Sequence, residues 1–181
     1  MSADGRIRCW PTTDPLYIAY HDGEWGRPVR DERGLYERLC LEGFQSGLAW
    51  ITILRKREAF RAGFADFDPD TVARFGERDV KRLLGDAAIV RHRGKIEAAI
   101  ANAKGVLALR ETDAPLPALM WEYRDGGEAD AEELSKRLKA AGFRFVGPTT
   151  VYAAMQATGI VDDHIPQCWV REDVERARRA G

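Results

Sequence analysis

Apolar residues recur at helical spacing along most of the chain. Leu35, Leu39 and Cys40, then Ala49, Ile53 and Leu54, keep that spacing in a stretch rich in helix formers, with Gly43 and Gly47 as the expected breaks. Asp68-Pro69 predicts a helix start, Asp as N-cap and Pro in the first turn, followed by Val72, Ala73 and Phe75. Val80, Leu83 and Leu84 come next, and then a long amphipathic segment carrying Ile89, Ile96, Ala99, Ile100, Ala103, Val106 and Leu107. Pro115 to Glu128, with Gly126-Gly127, reads as a connection or a short helix plus loop. No alternating strand pattern, internal repeat or low-complexity tract appears, so the expected class is all-α.

Residues 134–158 predict helix, tight turn, helix. Leu134, Leu138 and Ala141 form the first apolar stripe, Gly142 stops it as a C-cap, and Gly147-Pro148-Thr149-Thr150 opens a second helix bearing Val151, Ala154 and Met155. The apolar turn Phe143-Arg144-Phe145-Val146 is expected to anchor in the core through Phe and Val. The free N–H groups of the next helix would then face outward, an arrangement suited to a phosphate. Two helices and a glycine turn occur in many helical proteins, so this pattern alone assigns no partner.

At 181 residues, 45% hydrophobic and 31% charged, the chain has the proportions of one soluble unit spanning 1–181. No apolar run is long enough for a membrane helix and the N-terminus carries no signal-peptide core, so no membrane partner and a cytoplasmic location are expected. The net charge of -1 argues for no polyanionic partner, yet it conceals a local excess of +5 over 81–110 and of -7 over 111–133. Such unevenness fits either a nucleic-acid face or solvated helices of alternating sign.

Three cysteines are too few for a disulfide framework; Cys40, flanked by leucines, reads as core. Cys9 and His21, with His164 and Cys168, make up a two-Cys, two-His set suited to tetrahedral zinc, with no open position for a catalytic water. Pro166 makes an irregular turn or a first helical turn between the last two the expectation. Spacing alone leaves open a satisfied histidine beside an unrelated thiol, because no Cys-x-x-Cys pair is present. Tyr17, Tyr20, Trp25 and Trp50, with Glu24, Glu42 and Gln45, are dense enough to line a slot for a flat ring, or simply to fill a core.

Four blocks narrow these alternatives. Asp14-Pro15-Leu16-Tyr17-Ile18-Ala19-Tyr20-His21-Asp22-Gly23-Glu24-Trp25-Gly26, Leu41-Glu42-Gly43-Phe44-Gln45-Ser46-Gly47-Leu48-Ala49-Trp50-Ile51-Thr52, Ile89-Val90-Arg91-His92-Arg93-Gly94-Lys95-Ile96, and Phe143-Arg144-Phe145-Val146-Gly147 through Asp163-His164 occur in order. Together they resemble the DNA-3-methyladenine glycosylase I family from about Cys9 to Cys168. The resemblance implies an all-helical, helix-hairpin-helix DNA glycosylase fold with one structural zinc per chain. That zinc would be held by Cys9, His21, His164 and Cys168, joining the 9–21 and 164–168 segments. It implies a base pocket of Tyr20, Trp50, Tyr17, Trp25 and Gln45 around Glu42 as the catalytic residue. It also implies a DNA anchor at Gly142, Arg144, Gly147 and Thr149.

The implied reaction is excision of 3-methyladenine from alkylated double-stranded DNA, leaving an abasic site and the free base, by an enzyme expected to be a monomer. A purine methylated at N3 is cationic and its glycosidic bond is already weakened, so no strong general acid is needed. Stacking on Trp50, charge balance at Glu42 and a hydrogen bond from Tyr20 would suffice for recognition. Asp162 stands where many helix-hairpin-helix glycosylases carry a catalytic Asp; a role at the sugar, an N-cap and a partner for a zinc ligand all remain open for it. Two other readings compete: a non-catalytic, zinc-containing alkylation-damage-binding protein, and an unrelated zinc hydrolase, which would need an open metal position.

Overall fold

The structure, a computed structural model, describes residues 4–180, and its regular elements are all helical. They are α1 (Pro15–Gly23), α2 (Glu32–Gln45), α3 (Trp50–Gly63), a short 3-10 turn (Ala65–Phe67), α4 (Pro69–Val72), α5 (Glu77–Gly85), α6 (Arg93–Arg110), α7 (Leu116–Trp121), α8 (Glu128–Ala140), α9 (Pro148–Ala157) and α10 (Arg171–Arg179). Among the described residues no helix is long and apolar enough to cross a membrane.

Local chemistry sets most helix starts. Asp14 accepts from the backbone N–H groups of Leu16 and Tyr17 ahead of Pro15, Asp31 accepts from Gly34, and Asp68 accepts from Thr71 just before Pro69. His92 caps α6 by accepting from the Lys95 N–H at 3.2 Å, so the helix begins after Ile89, which is buried in the preceding turn. The helix at Pro69 ends at Val72, short of the Phe75 its pattern suggested. A short helix, α7, does form inside the expected connection. α10 has only Val174 as a buried apolar side chain, too little to register as a periodic signal.

α2 is the central element and packs against α3, α6, α7 and α9. Leu35, Tyr36, Leu39, Leu41 and Phe44 on it are fully or almost fully buried, each contributing on the order of 1.5–3 kcal/mol. Gly43 lies inside α2 and does not break it. It is small because the hairpin leans on it: a Cβ there would sit 3.3 Å from the Phe145 carbonyl oxygen. Gly47, with φ +83°, does end the run, in the turn leading to α3. Cys40 is core, as expected.

In the basic stretch 81–110, three of the seven cations are in ion pairs. Arg82 pairs with Asp79, Arg93 with Glu77 and Glu97, and Arg110 with Glu32 and Asp70. Lys95 is buried and donates to the carbonyls of Phe44 and Ser46, capping the end of α2.

Candidate functional site

Beside the end of α2 the chain leaves a pocket of about 170 Å³. Its wall is Tyr17 and Tyr20 from α1, Glu42 and Gln45 from α2, Trp50 from the start of α3, Trp10 and Trp25 from the segments flanking α1, and Ala153 and Gln156 from α9. That space is small for a drug-sized ligand and suits a single planar base. The rings lean on one another: centroids are 5.4 Å apart for Tyr20 and Trp50, 5.2 Å for Trp10 and Tyr17, and 5.0 Å for Trp10 and Trp25. Such contacts fix the shape of the slot before any ligand enters. Gln45 donates from its amide to the Leu48 carbonyl at 3.2 Å, pinning the turn between α2 and α3.

Glu42 is the acid of this wall and is only 6% exposed. Burial pushes its carboxyl up to about 7, and the Arg38 guanidinium pulls the other way. Burial likewise raises the Tyr20 hydroxyl, which stays a neutral phenol able to donate.

Against the outer side of the pocket lies the cysteine and histidine cluster. The ligand atoms of Cys9, His21, His164 and Cys168 all fall within 4.8 Å of one another, and His21 Nε2 is 3.5 Å from Cys168 Sγ. Each imidazole has its Nδ1 fixed by a carboxylate: Asp22 for His21 at 2.8 Å and Asp162 for His164 at 2.7 Å. That turns both Nε2 atoms toward the cluster: His164 Nε2 is buried without a partner, and His21 Nε2 accepts the Cys9 backbone N–H at 3.2 Å. Burial lowers both histidines toward the neutral form, and burial together with the nearby Cys168 thiol holds Cys9 up to about 12. Neutral imidazoles beside one half-buried and one buried thiol are the ligand types that zinc takes, so the donor set fits the metal. Gly26 makes the packing possible: it has φ +77°, and a Cβ there would collide with His164 Cε1.

Of the roles open to Asp162, the contact seen is that of a partner for a candidate ligand, while its Oδ2 is buried without a hydrogen-bond partner. Its Oδ1 accepts from both the backbone N–H and Nδ1 of His164, which orients it to the cluster. The neighbouring Asp163 is the exposed one, accepting from Tyr152 and from the Gln156 amide that lines the pocket.

The expected hairpin connects α8 to α9. Gly142 takes φ +92° after α8, and Phe143 and Val146 are buried, but Phe145 is 39% exposed, so one of the two phenylalanines does not anchor. The Arg144 N–H donates to Asn102 Oδ1 at 2.7 Å, and the Ser135 hydroxyl donates to the Val146 carbonyl at 2.6 Å. α9 begins at Pro148 with no side chain capping it. Arg144 and Thr149 are exposed there.

The family model described as methyladenine glycosylase matches residues 10–172. The chain belongs to that family. It is 46% identical over 177 residues to the DNA-3-methyladenine glycosylase 1 of Escherichia coli, covering 89% of this chain and 95% of the relative. Among solved structures, a 3-methyladenine DNA glycosylase I superposes with a TM-score of 0.84 at 45% identity, covering 90% of this chain and 98% of that one. The Staphylococcus aureus 3-methyladenine DNA glycosylase I, solved for its recognition of 3-methyladenine, gives 0.83 at 37% identity, covering 88% and 93%.

In this methyladenine glycosylase family member, Glu42, Tyr20, Trp50, Tyr17, Trp25 and Gln45 all meet at one pocket, and Cys9, His21, His164 and Cys168 meet at one cluster. Trp10, Ala153 and Gln156 line the same pocket without having been singled out in the sequence. Trp10 had a signal, since it follows the candidate ligand Cys9 directly. Gln156 had none, because its place depends on how α9 packs against α2.

Proposed function

We propose that this chain is a monofunctional DNA N-glycosylase that flips 3-methyladenine out of alkylated double-stranded DNA and hydrolyses its glycosidic bond. One observation carries the reading: a buried carboxylate, Glu42, in an aromatic slot of single-base size. A normal base gains little from such a slot, whereas a cationic methylated purine gains both a counter-charge and a stacking partner.

Glu42 is the catalytic residue in this reading, accepting from the purine's amino group and balancing its positive charge. Trp50 stacks on the ring, Tyr20 adds a hydrogen bond, and Tyr17, Trp25 and Gln45 complete the recess. Water attacks the sugar C1′ as the bond to the base breaks. The bonding pair leaves with the purine, which departs as neutral 3-methyladenine, and the water's proton goes to solvent. The base is already a good leaving group, so the pocket needs no strong general acid; its work is to hold the flipped base and stabilise charge as it moves to the sugar.

Gly142, Arg144, Gly147 and Thr149 form the helix-hairpin-helix anchor at about 134–158, presenting the uncapped start of α9 to a backbone phosphate. Cys9, His21, His164 and Cys168 would hold one zinc per chain, and with four protein ligands the ion would supply cross-linking and no reactive water. The protein is read as one unit over 1–181, acting as a monomer in the cytoplasm.

Base release from methylated DNA, with the freed base identified by chromatography, tests the whole reading. The wild type should release 3-methyladenine, and Glu42→Gln should slow release by a factor of about a hundred or more, in line with losing a principal electrostatic contact. A folded protein that binds methylated DNA and releases nothing would leave a damage-binding protein instead.

A further inference from the structure

Behind the pocket lies a charged cluster that the reaction described above does not use. Glu24 receives two hydrogen bonds from Arg57, at 2.6 and 2.8 Å, and a third from Arg38 Nη2 at 2.8 Å. Arg57 alone satisfies Glu24 with a bidentate pair. Arg38 is therefore surplus to that carboxylate. It is 8% exposed, and its Nη1 is buried without any partner. Desolvating half of a guanidinium is costly, so an arginine held this way calls for a compensating gain.

The gain lies toward the pocket. Arg38 sits one turn before Glu42 on α2, so the two side chains share a face of the helix. Its guanidinium carbon is 5.5 Å from the centroid of the Tyr20 ring, the ring that forms the pocket's wall beside Glu42. Resting on the proposed role of Glu42, we propose that Arg38 is a positioning residue that acts through Glu42: its buried, half-unpaired guanidinium favours the anionic form of that carboxylate and so strengthens the pocket's preference for a positively charged base.

The other groups facing Glu42 cannot take this role. Tyr17 and Tyr20 on α1 are both raised and neutral, Trp50 on α3 and Gln156 on α9 carry no charge, and Arg57 is engaged by Glu24. Burial pushes Glu42 up to about 7, where a small change in the local field decides its charge under ordinary conditions. Arg38 is not among the residues lining the pocket and pairs with Glu24, so it favours the anion without presenting a bare cation to the base.

The test is the binding of free 3-methyladenine, followed by tryptophan fluorescence as a function of pH, in wild type, Arg38→Met, Arg38→Lys and Glu42→Gln. The ligand's own titration is common to all four, so differences between profiles belong to the protein. Arg38→Met leaves Glu24 with both Arg57 bonds and fills much of the same space. Its acid limb should move about one pH unit toward alkali, with roughly tenfold weaker binding on the acidic side and near wild-type binding at high pH. Arg38→Lys, which restores the charge, should return the limb to its wild-type place. Glu42→Gln should show the ligand's titration alone. Coincident limbs for wild type and Arg38→Met would overturn the proposal, as would equal shifts in the Met and Lys variants, which would indicate packing and not charge. If the wild type fails to bind the base, or Glu42→Gln binds as tightly with the wild-type limb, it is the assignment of the pocket that fails.

Discussion

Glu42 exposes the conflict between stability and function in a single side chain. Its folded value of about 7 lies above the ordinary 4.5, so the folded protein retains a proton that the unfolded chain has already lost. The cost of ionising it therefore grows as pH rises from the ordinary carboxylate range and is complete above about 7. Glu42→Gln removes that cost. The variant should be more stable than wild type at alkaline pH, by up to about 3 kcal/mol, with the gap closing as pH falls to the ordinary carboxylate range. Denaturant titrations at the two extremes check this; a variant less stable at alkaline pH would mean the carboxylate is held by favourable contacts. Glu42 was legible in the sequence because it stands in a recognisable block, as were Tyr20 and Trp50. Arg38 was not, because nothing in a one-dimensional pattern tells a buried arginine from one on a solvated helix face.

Among the elements, the hairpin shows how far local signals reach. Gly142 as a stop and Pro148 as a start were readable, since each answers to backbone geometry at its own position. The direction of Phe145 and the place of Gly43 were not, because both depend on the turn meeting α2. Asn102 on α6 is the hidden support: it is 2% exposed and its Oδ1 receives the Arg144 N–H. Asn102→Ala should leave that donor without its partner, at roughly 1–3 kcal/mol. With the turn no longer held, affinity for undamaged duplex DNA should fall several-fold while free 3-methyladenine binds as before. Equal losses in both assays would show the damage spreading through α2 into the pocket, and no loss in either would remove the hairpin from DNA binding. The same element-scale view bears on the charge pattern: in 81–110, where a nucleic-acid face and solvated helices were both open, Arg82, Arg93 and Arg110 pair with acids brought from elsewhere in the chain or from their own helix, while Lys81, Arg91 and Lys104 are exposed.

At the scale of the whole molecule, the two ends of the chain and the base pocket share one wall. The ring of Trp10 lies 4.7 Å from His21 and that of Trp25 lies 4.5 Å from His164, centroid to centroid, so two of the pocket's aromatics rest directly on two of the candidate zinc ligands. Asp22 reinforces the joint by accepting from Arg8, His21 and Trp169, and the Trp169 N–H donates to the Ile7 carbonyl at 3.1 Å. The helical core around α2 does not involve these segments, so removing the metal should loosen the wall without unfolding the helices. Chelation, or Cys168→Ser, should abolish bound zinc, keep the far-ultraviolet dichroism, and lower stability by about 3 kcal/mol if the ion is normally present at a hundred times its Kd. Affinity for free 3-methyladenine should fall with it, because Trp10 and Trp25 lose their backing. The rate of excision at saturating DNA distinguishes the possible roles: a staple shifts the concentration of DNA needed and spares much of the single-turnover rate, whereas a metal that activates water would take the rate with it. Loss of the rate with base affinity intact would return the protein to the zinc hydrolases.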